Sequence, residues 1–518
     1  MPNQRRDVLK ALAALGGGAA LPGVLAAAPA ERAIADYPFR LGVSSGFPTH
    51  RSVVLWTRLA PQPDQPDGGL PPQDWSLRYE VAADQGFRQI VARGRAIASA
   101  RHGHSVHLTV PGLRPARDYW YRFMLGAHAS AAGRTRTLPD PQAQVDALRL
   151  VVASCQHYEQ AQYAAWRHAA ADAPDLILFL GDYIYESVSR MSQVRRHSGG
   201  VPRTVAEFRQ RYALYQLDPA LQAAHAAAPW LVMWDDHEVQ NDYAGVHPGQ
   251  QEDPATFLAM RAAAYQSWFE HMPVPATMAP VNGAMPVFAR HHIGRLATLH
   301  VLDQRQYRSA EACGRPPTMG GNQVGDDCAE RLEPARTMLG AVQEQWLARG
   351  LRGSAARWTL LGQGTPFSYT DQKAGAEHSY WTDSWSGYPA ARQRFVDLLQ
   401  QARCPNPVIL SGDIHAYIMA NINAVPERPE TPVVACELAG TSISSDSLAQ
   451  PILDVWKAEN PCVQLFEGRS RGYLSLTLSE RQLQVDLVTV ADSTRADSPR
   501  GSGGSFVVEA GIPGVQRA

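Results

Sequence analysis

A chain of 518 residues, 45% of them hydrophobic, is long enough to bury a large core and to hold more than one domain. Its 48 basic and 49 acidic side chains leave a net charge of -1, which excludes a nucleic acid or anionic membrane held by bulk electrostatics; no nucleic-acid-specific patch is evident. Six cysteines in this length exclude a scaffold built on disulfides.

The N-terminus reads as an address. "NQRRDVLK" sets Arg5 beside Arg6, and a weakly apolar run rich in Gly and Ala follows, with Ala-x-Ala options from Ala26 to Ala30. Residues 1–30 therefore resemble a twin-arginine export signal, which makes the twin-arginine export machinery a partner and the location periplasmic or secreted. A disordered tail that happens to carry two arginines is the plainer alternative. Pro22 and the glycines argue against a permanent transmembrane helix, and no later run offers about 18 uninterrupted apolar residues, so no integral membrane segment is expected. Proteins taking that route cross already folded, which suits one loaded with metal inside the cell.

From Tyr37 to Thr137 the runs "SVVLWTRL", "LRYEVAA" and "HSVHLTV" alternate with Pro/Gly turns, the pattern of a β-sandwich over residues 35–138. "VPGLRPARDYWYRF" resembles the last part of a fibronectin type III-like domain, where a tyrosine pins the corner. "GRTRTLPDPQAQ" follows as a linker, Pro139 and Pro141 discouraging regular structure.

The pattern then becomes α/β, with a second domain expected over residues 147–518. "LRLVVASC" and "LILFLGD" are buried-strand runs on either side of the helix-like "EQAQYAAWRHAAA". "WLVMWDDHE" and "NPVILSGDIH" repeat the design of an apolar strand ending in acidic residues and histidine. "PATFLAMRAAAYQSWFEHM" and "ARTMLGAVQEQWLARGL" are predicted helices packed on the sheets. Cys313 and Cys328 flank a Gly-rich polar loop that a disulfide would close, while Cys404, Cys436 and Cys462 read as small buried hydrophobes.

Four strand ends carry the chemistry. In "LILFLGDYIYES", Gly181 lets the chain turn sharply, and Asp182 stands at a strand tip, where α/β proteins bind ligands; alone, Asp182 would read as a helix cap. Together the four ends collect Cys155, Asp182, Tyr185, Asp235, Asp236, His237, Asn241, Asp413 and His415. Carboxylates and amide oxygens suit hard cations, whereas cysteine and histidine suit transition metals, so the mixture points to unlike metals side by side with Asp182 as the bridge. Each residue has a structural alternative: a buried thiol for Cys155, a packed ring for Tyr185, satisfied core imidazoles for His237 and His415, a turn residue for Asp235. In "VLDQRQYRS", Arg305 and Arg308 are candidate bidentate phosphate donors, with structural or solvated roles equally open. "GTSISSD", Gly440 to Asp446, reads as a pocket rim or a plain loop.

"ASCQ", "GDYIYE", "WDDHEVQNDYAG" and "SGDIHAY", in that order behind a β-sandwich and an export signal, resemble the PhoD-type alkaline phosphatases, which are related to the purple acid phosphatases and calcineurin-like metallophosphoesterases. The resemblance implies an α/β metallophosphoesterase-type β-sandwich flanked by helices, preceded by a small fibronectin type III-like all-β domain. It also implies Fe3+ with Ca2+, and hydrolysis of phosphomonoester and phosphodiester substrates by a metal-activated hydroxide. Carried over by residue, Asp182 bridges iron and calcium, and Cys155, Tyr185 and His415 complete the iron ligands. Asn241, Asp413 and Asp236 serve calcium; His237 protonates the leaving group or stabilises charge. Relative to the purple acid phosphatases, Cys155 replaces an aspartate, "GDIH" replaces Gly-His-x-His and "DDHE" replaces Asn-His-Glu, departures that favour the PhoD branch and disfavour zinc. Glu186 and a residue beyond Glu437 are the remaining candidates for an additional calcium. A phospholipase D-like phosphodiesterase and a non-catalytic surface-binding protein are the competing readings.

Overall fold

The computed structural model describes residues 34–426 and 428–518; the expected export signal, residues 1–30, lies outside them. Two large sheets face each other across one core. In the first, the parallel strands Ala147–Ala153, Leu176–Phe179 and Trp230–Val232 lie side by side. In the second, Ala297–Val301, Trp358–Gly362, Pro407–Ser411 and Val433–Ala439 run parallel in that order. These runs are apolar at nearly every position because both of their faces are covered, which is the signature that marked them in the sequence. Val151, Leu178 and Leu231 of one sheet and Leu299, Leu360 and Leu410 of the other belong to one buried cluster.

Helices close the outer faces. Pro254–His271 follows its predicted span and is started by Asp253, whose carboxylate accepts the Thr256 N–H at the exposed N-terminus. The other two predicted helices are shorter, Ala164–Ala171 and Gly340–Leu351. Residues 159–162 lie outside the first: the Glu159 carbonyl, which a helix would bond to the Tyr163 N–H, instead accepts the N–H groups of Val194 and Arg195. Among the described residues, no helix is long and apolar enough to cross a membrane.

The N-terminal β-rich region forms two layers. One layer consists of Trp75–Ala82, Ile90–Ala98 and Asp118–Leu125 with two short partners, and it packs on Val43–Gly46, Val53–Arg58 and Ser105–Val110 around a core of its own. The expected corner tyrosine is Tyr119, whose hydroxyl accepts the Arg114 N–H at 2.8 Å. The second layer continues directly into the first large sheet, Gly46 pairing in parallel with Trp230. Only glycine fits at that seam: a Cβ on residue 46 would lie 2.3 Å from the carbonyl oxygen of Pro273. Cys313 and Cys328 are joined in a disulfide around the Gly-rich loop.

Candidate active site and metal centre

The carboxyl ends of the parallel strands in both sheets meet at one edge of the sandwich, and the chain leaves them in strained conformations. Cys155, Asp182, Asp413 and His415 all have positive φ, 59°, 60°, 66° and 57° respectively. Left-handed backbone costs a non-glycine residue of the order of 1–3 kcal/mol, so four such residues at four candidate ligand positions mark a site that the fold holds against local preference. Gly181, at φ 105°, makes the approach possible: a Cβ there would lie 2.5 Å from both the Cβ and the N of Asp235.

Three overlapping sets of donor atoms result, each within 4.8 Å of one another: Cys155, Asp182 and His415; Asp182, Asp236 and His237; and Asp235, Asp236 and Asp413. Asp182 and Asp236 each belong to two sets. The Tyr185 hydroxyl joins the first set, donating to Asp182 Oδ2 at 2.9 Å and lying 3.0 Å from His415 Nε2. The Asp446 carbonyl lies 2.6 Å from His415 Nδ1, which fixes the proton on that nitrogen and leaves the Nε2 lone pair facing the set.

Electrostatically the acids of the pocket outnumber the cations that face them, His237 and Arg305. Asp182 Oδ1, Asp235 Oδ2 and Asp236 Oδ1 are buried with no hydrogen-bond partner. Burial, reinforced by the neighbouring acids, pushes the carboxyl groups of Asp182 and Asp413 well above the usual range, though His237 and Arg305 respectively pull against it. The Cys155 thiol and the Tyr185 phenol are likewise raised, by burial first and Asp182 second. Burial pushes Asp235 up to about 6 and His415 down to about 3. Orphaned carboxylate oxygens beside a thiol, a phenol and an imidazole lone pair suit bound cations, whose charge would displace the protons these groups hold.

His237 is poised differently. Its Nδ1 lies 2.7 Å from the Glu186 carboxylate, and its ring, 14% exposed, rests on Tyr185 with centroids 4.1 Å apart. Burial alone would lower its pKa, but Glu186, Asp236 and Asp182 outweigh it and hold the imidazole protonated well above the ordinary histidine range. Glu186 also accepts the Asn241 N–H at 3.0 Å; Asn241 itself sits at the exposed rim, and its neighbour Asp242 donates its N–H to Asp236 at 2.7 Å.

Arg305 is the clear correction to the sequence reading. It is fully buried, with Nε on Asp235 at 2.5 Å and its two terminal nitrogens on Asp383 at 2.5 and 2.8 Å. A guanidinium with its fork filled by carboxylates and no path to solvent cannot receive a phosphate. Arg308 is similarly committed to Asp383 and Glu311. Glu437 is spent on the N–H groups of Phe367 and Ser368 and on the Ser411 hydroxyl. Three contributors carried no assigned role: Asp383, the counter-ion of both arginines; Glu238, which accepts N–H bonds from Tyr183 and Asp235 and so ties two strand ends together; and Ser445. Glu238 was visible as the last residue of "DDHE"; Asp383 left no signal.

An acidic pocket lined by donor atoms at the strand ends of a helix-flanked double sheet is fitted to hold cations, and the chain's likeness to known proteins says which class it belongs to. The family model described as "PhoD-like phosphatase" matches residues 150–487, and that of the "PhoD-like phosphatase, N-terminal domain" matches residues 25–139. The chain is 39% identical over 492 residues to the Bacillus subtilis (strain 168) protein "Alkaline phosphatase D", covering 93% of this chain and 82% of that one. It is also similar to the solved "Structure of PhoD", with a TM-score of 0.89 and 38% identity over 94% of this chain and 93% of the other. The chain belongs to the PhoD-like phosphatase family.

Proposed function

We propose that this phosphatase is an exported enzyme that hydrolyses phosphomonoesters and phosphodiesters using a ferric ion beside calcium. The observation that carries the reading is the overlap of the three donor sets at Asp182 and Asp236, since a shared carboxylate is how one pocket holds two neighbouring cations. Cys155, Tyr185 and His415 supply the thiolate, phenolate and imidazole that suit iron, while Asp236, Asp413 and Asn241 supply the oxygens that suit calcium. Bound there, such a pair would supply charge to neutralise the anionic ester and to lower the pKa of a nucleophilic water. His237, protonated on Glu186 and partly exposed, is placed to give a proton to the leaving oxygen or to stabilise its charge. Arg305 acts behind the pocket, fixing Asp235 and Asp383. Arg5 and Arg6 are the basis for export through the twin-arginine machinery to a periplasmic or secreted location.

A phospholipid diester remains the second reading because exposed apolar side chains lie close in sequence to Asp446, whose carbonyl faces His415, and to its partner Ser192. Met191 is 61% exposed and Leu448 43% exposed, and they flank the bond from the Ser192 N–H to the Asp446 carboxylate.

The test is hydrolysis of an aryl phosphate monoester and diester before and after EGTA treatment and calcium re-addition, with metal content measured alongside. Loss and recovery of both activities is expected. Activity indifferent to EGTA, in protein stripped of calcium, would overturn the calcium assignment, and preference for micellar phospholipid over the aryl diester would select the second reading.

A further inference from the structure

The loop Gly440 to Asp446 leaves the strand Val433–Ala439 and enters the pocket, where its residues Thr441–Ser445 are buried. The Ser445 hydroxyl lies 2.8 Å from the Tyr185 oxygen and 2.9 Å from the Cys155 carbonyl oxygen, and it accepts the His157 N–H at 3.1 Å. A hydroxyl has one proton to give, so it can serve the carbonyl or the phenol, not both. The carbonyl does not depend on it: the N–H groups of Ser444 and Ser445 already point there at 3.4 and 3.3 Å.

The Tyr185 oxygen has different needs. Its other polar neighbours, Asp182 Oδ2 and His415 Nε2, both present lone pairs. The ring faces are covered by His157 and His237, with centroids at 4.4 and 4.1 Å. Once that oxygen serves as a ligand it has no proton of its own, and Ser445 is the hydroxyl within reach to donate to it.

Resting on the metal reading above, we propose that Ser445 is a positioning residue that donates a hydrogen bond to the ligating Tyr185 oxygen. The same loop orients a second ligand, because the Asp446 carbonyl holds His415 in its tautomer. A hydrogen bond to a charged acceptor draws electron density away from it, so the phenolate gives less charge to the cation, which stays a stronger Lewis acid.

The test compares wild type, Ser445→Ala and Ser445→Thr, each loaded with ferric ion. Iron content, the visible phenolate-to-iron charge-transfer band and steady-state kinetics on an aryl phosphate are measured for each. Ser445→Ala is expected to keep its iron, to move the band to longer wavelength and to lose kcat by about 3- to 10-fold with little change in KM. Ser445→Thr, which keeps the hydroxyl, is expected to leave the band in place. If Ser445→Ala holds no iron, Ser445→Cys provides the measurement, a weaker donor giving an intermediate shift. An iron-loaded Ala or Cys variant with the wild-type band overturns the proposal while leaving the metal reading intact. Wild type that binds no iron, or shows no such band, overturns the metal reading and the role of Ser445 with it.

Discussion

Replacing Arg305 with methionine separates a structural cation from a substrate-binding one. The guanidinium lies between Asp235 and Asp383 with bonds of 2.5 to 2.8 Å, and Asp236 is 3.8 Å from it. Breaking a buried ion pair by removing one partner costs about 3–5 kcal/mol. Two features hold the loss near the lower end. Asp383 keeps Arg308 at 2.7 Å, and Asp235, already raised to about 6 by burial against the pull of Arg305, can take up a proton once the guanidinium is gone. With an unfolding entropy of about 2.1 cal/mol/K per residue, a chain of this size loses roughly 1 kcal/mol per degree, so about 3 kcal/mol lowers Tm by about 3 °C.

The assay pairs thermal unfolding with KM for an aryl phosphate. Arg305→Met should lower Tm while leaving KM within about twofold, because the methionine replaces a group that never meets substrate. Adding Asp235→Leu should recover part of the stability, since replacing both partners leaves no unpaired charge. An unchanged Tm with KM raised tenfold would refute the reasoning, for it would mean that the guanidinium reaches phosphate.

Asp182→Ala should lose both metals and lower activity by well over 100-fold, because even residues one step behind a ligand cost 10–100-fold in metal affinity; metal analysis of the purified variant is the check, and retained metal with near-normal turnover would refute the shared role. Acid should destabilise the fold through its neutral buried histidines. Burial lowers His107 and His291 to about 4 and His225 to about 3. Their folded pKa values lie below the unfolded value of about 6.5, so the unfolded chain binds more protons as pH falls. The stability they contribute is complete above about pH 6.5 and is lost progressively towards pH 4, where His107 alone accounts for about 3 kcal/mol. Proton uptake on unfolding at pH 5 checks this, and His107→Gln, which cannot titrate, should reduce the uptake by close to one proton.

The parts of the site that were legible in the sequence are those whose physics is local. A strand buried on both faces must be continuously apolar, so "LILFLGD" announced both the strand Leu176–Phe179 and the tip at Asp182. Glycine before that tip was readable because the turn needs positive φ. Why it must be glycine was not: the atoms that exclude a side chain belong to Trp234 and Asp235, on the next strand end.

What escaped the sequence depends on contacts between distant segments. Arginine is a good phosphate ligand and a good buried counter-ion, and nothing in "VLDQRQYRS" distinguishes the two. The choice is made by Asp235 and Asp383, 70 residues before and 78 after Arg305. Ser445 meets Tyr185 across 260 residues, from a loop whose sequence of small polar residues would suit any turn. The continuity of the N-terminal sandwich with the first large sheet rests on Gly46 meeting Trp230. Candidate metal-ligand types stand out in a sequence because few side chains can do that chemistry, whereas the groups that would orient and neutralise them are ordinary residues made specific by the fold. Ser445 and Arg305 are therefore positions where, on the proposed reading, a substitution would retune the pocket without removing a candidate ligand.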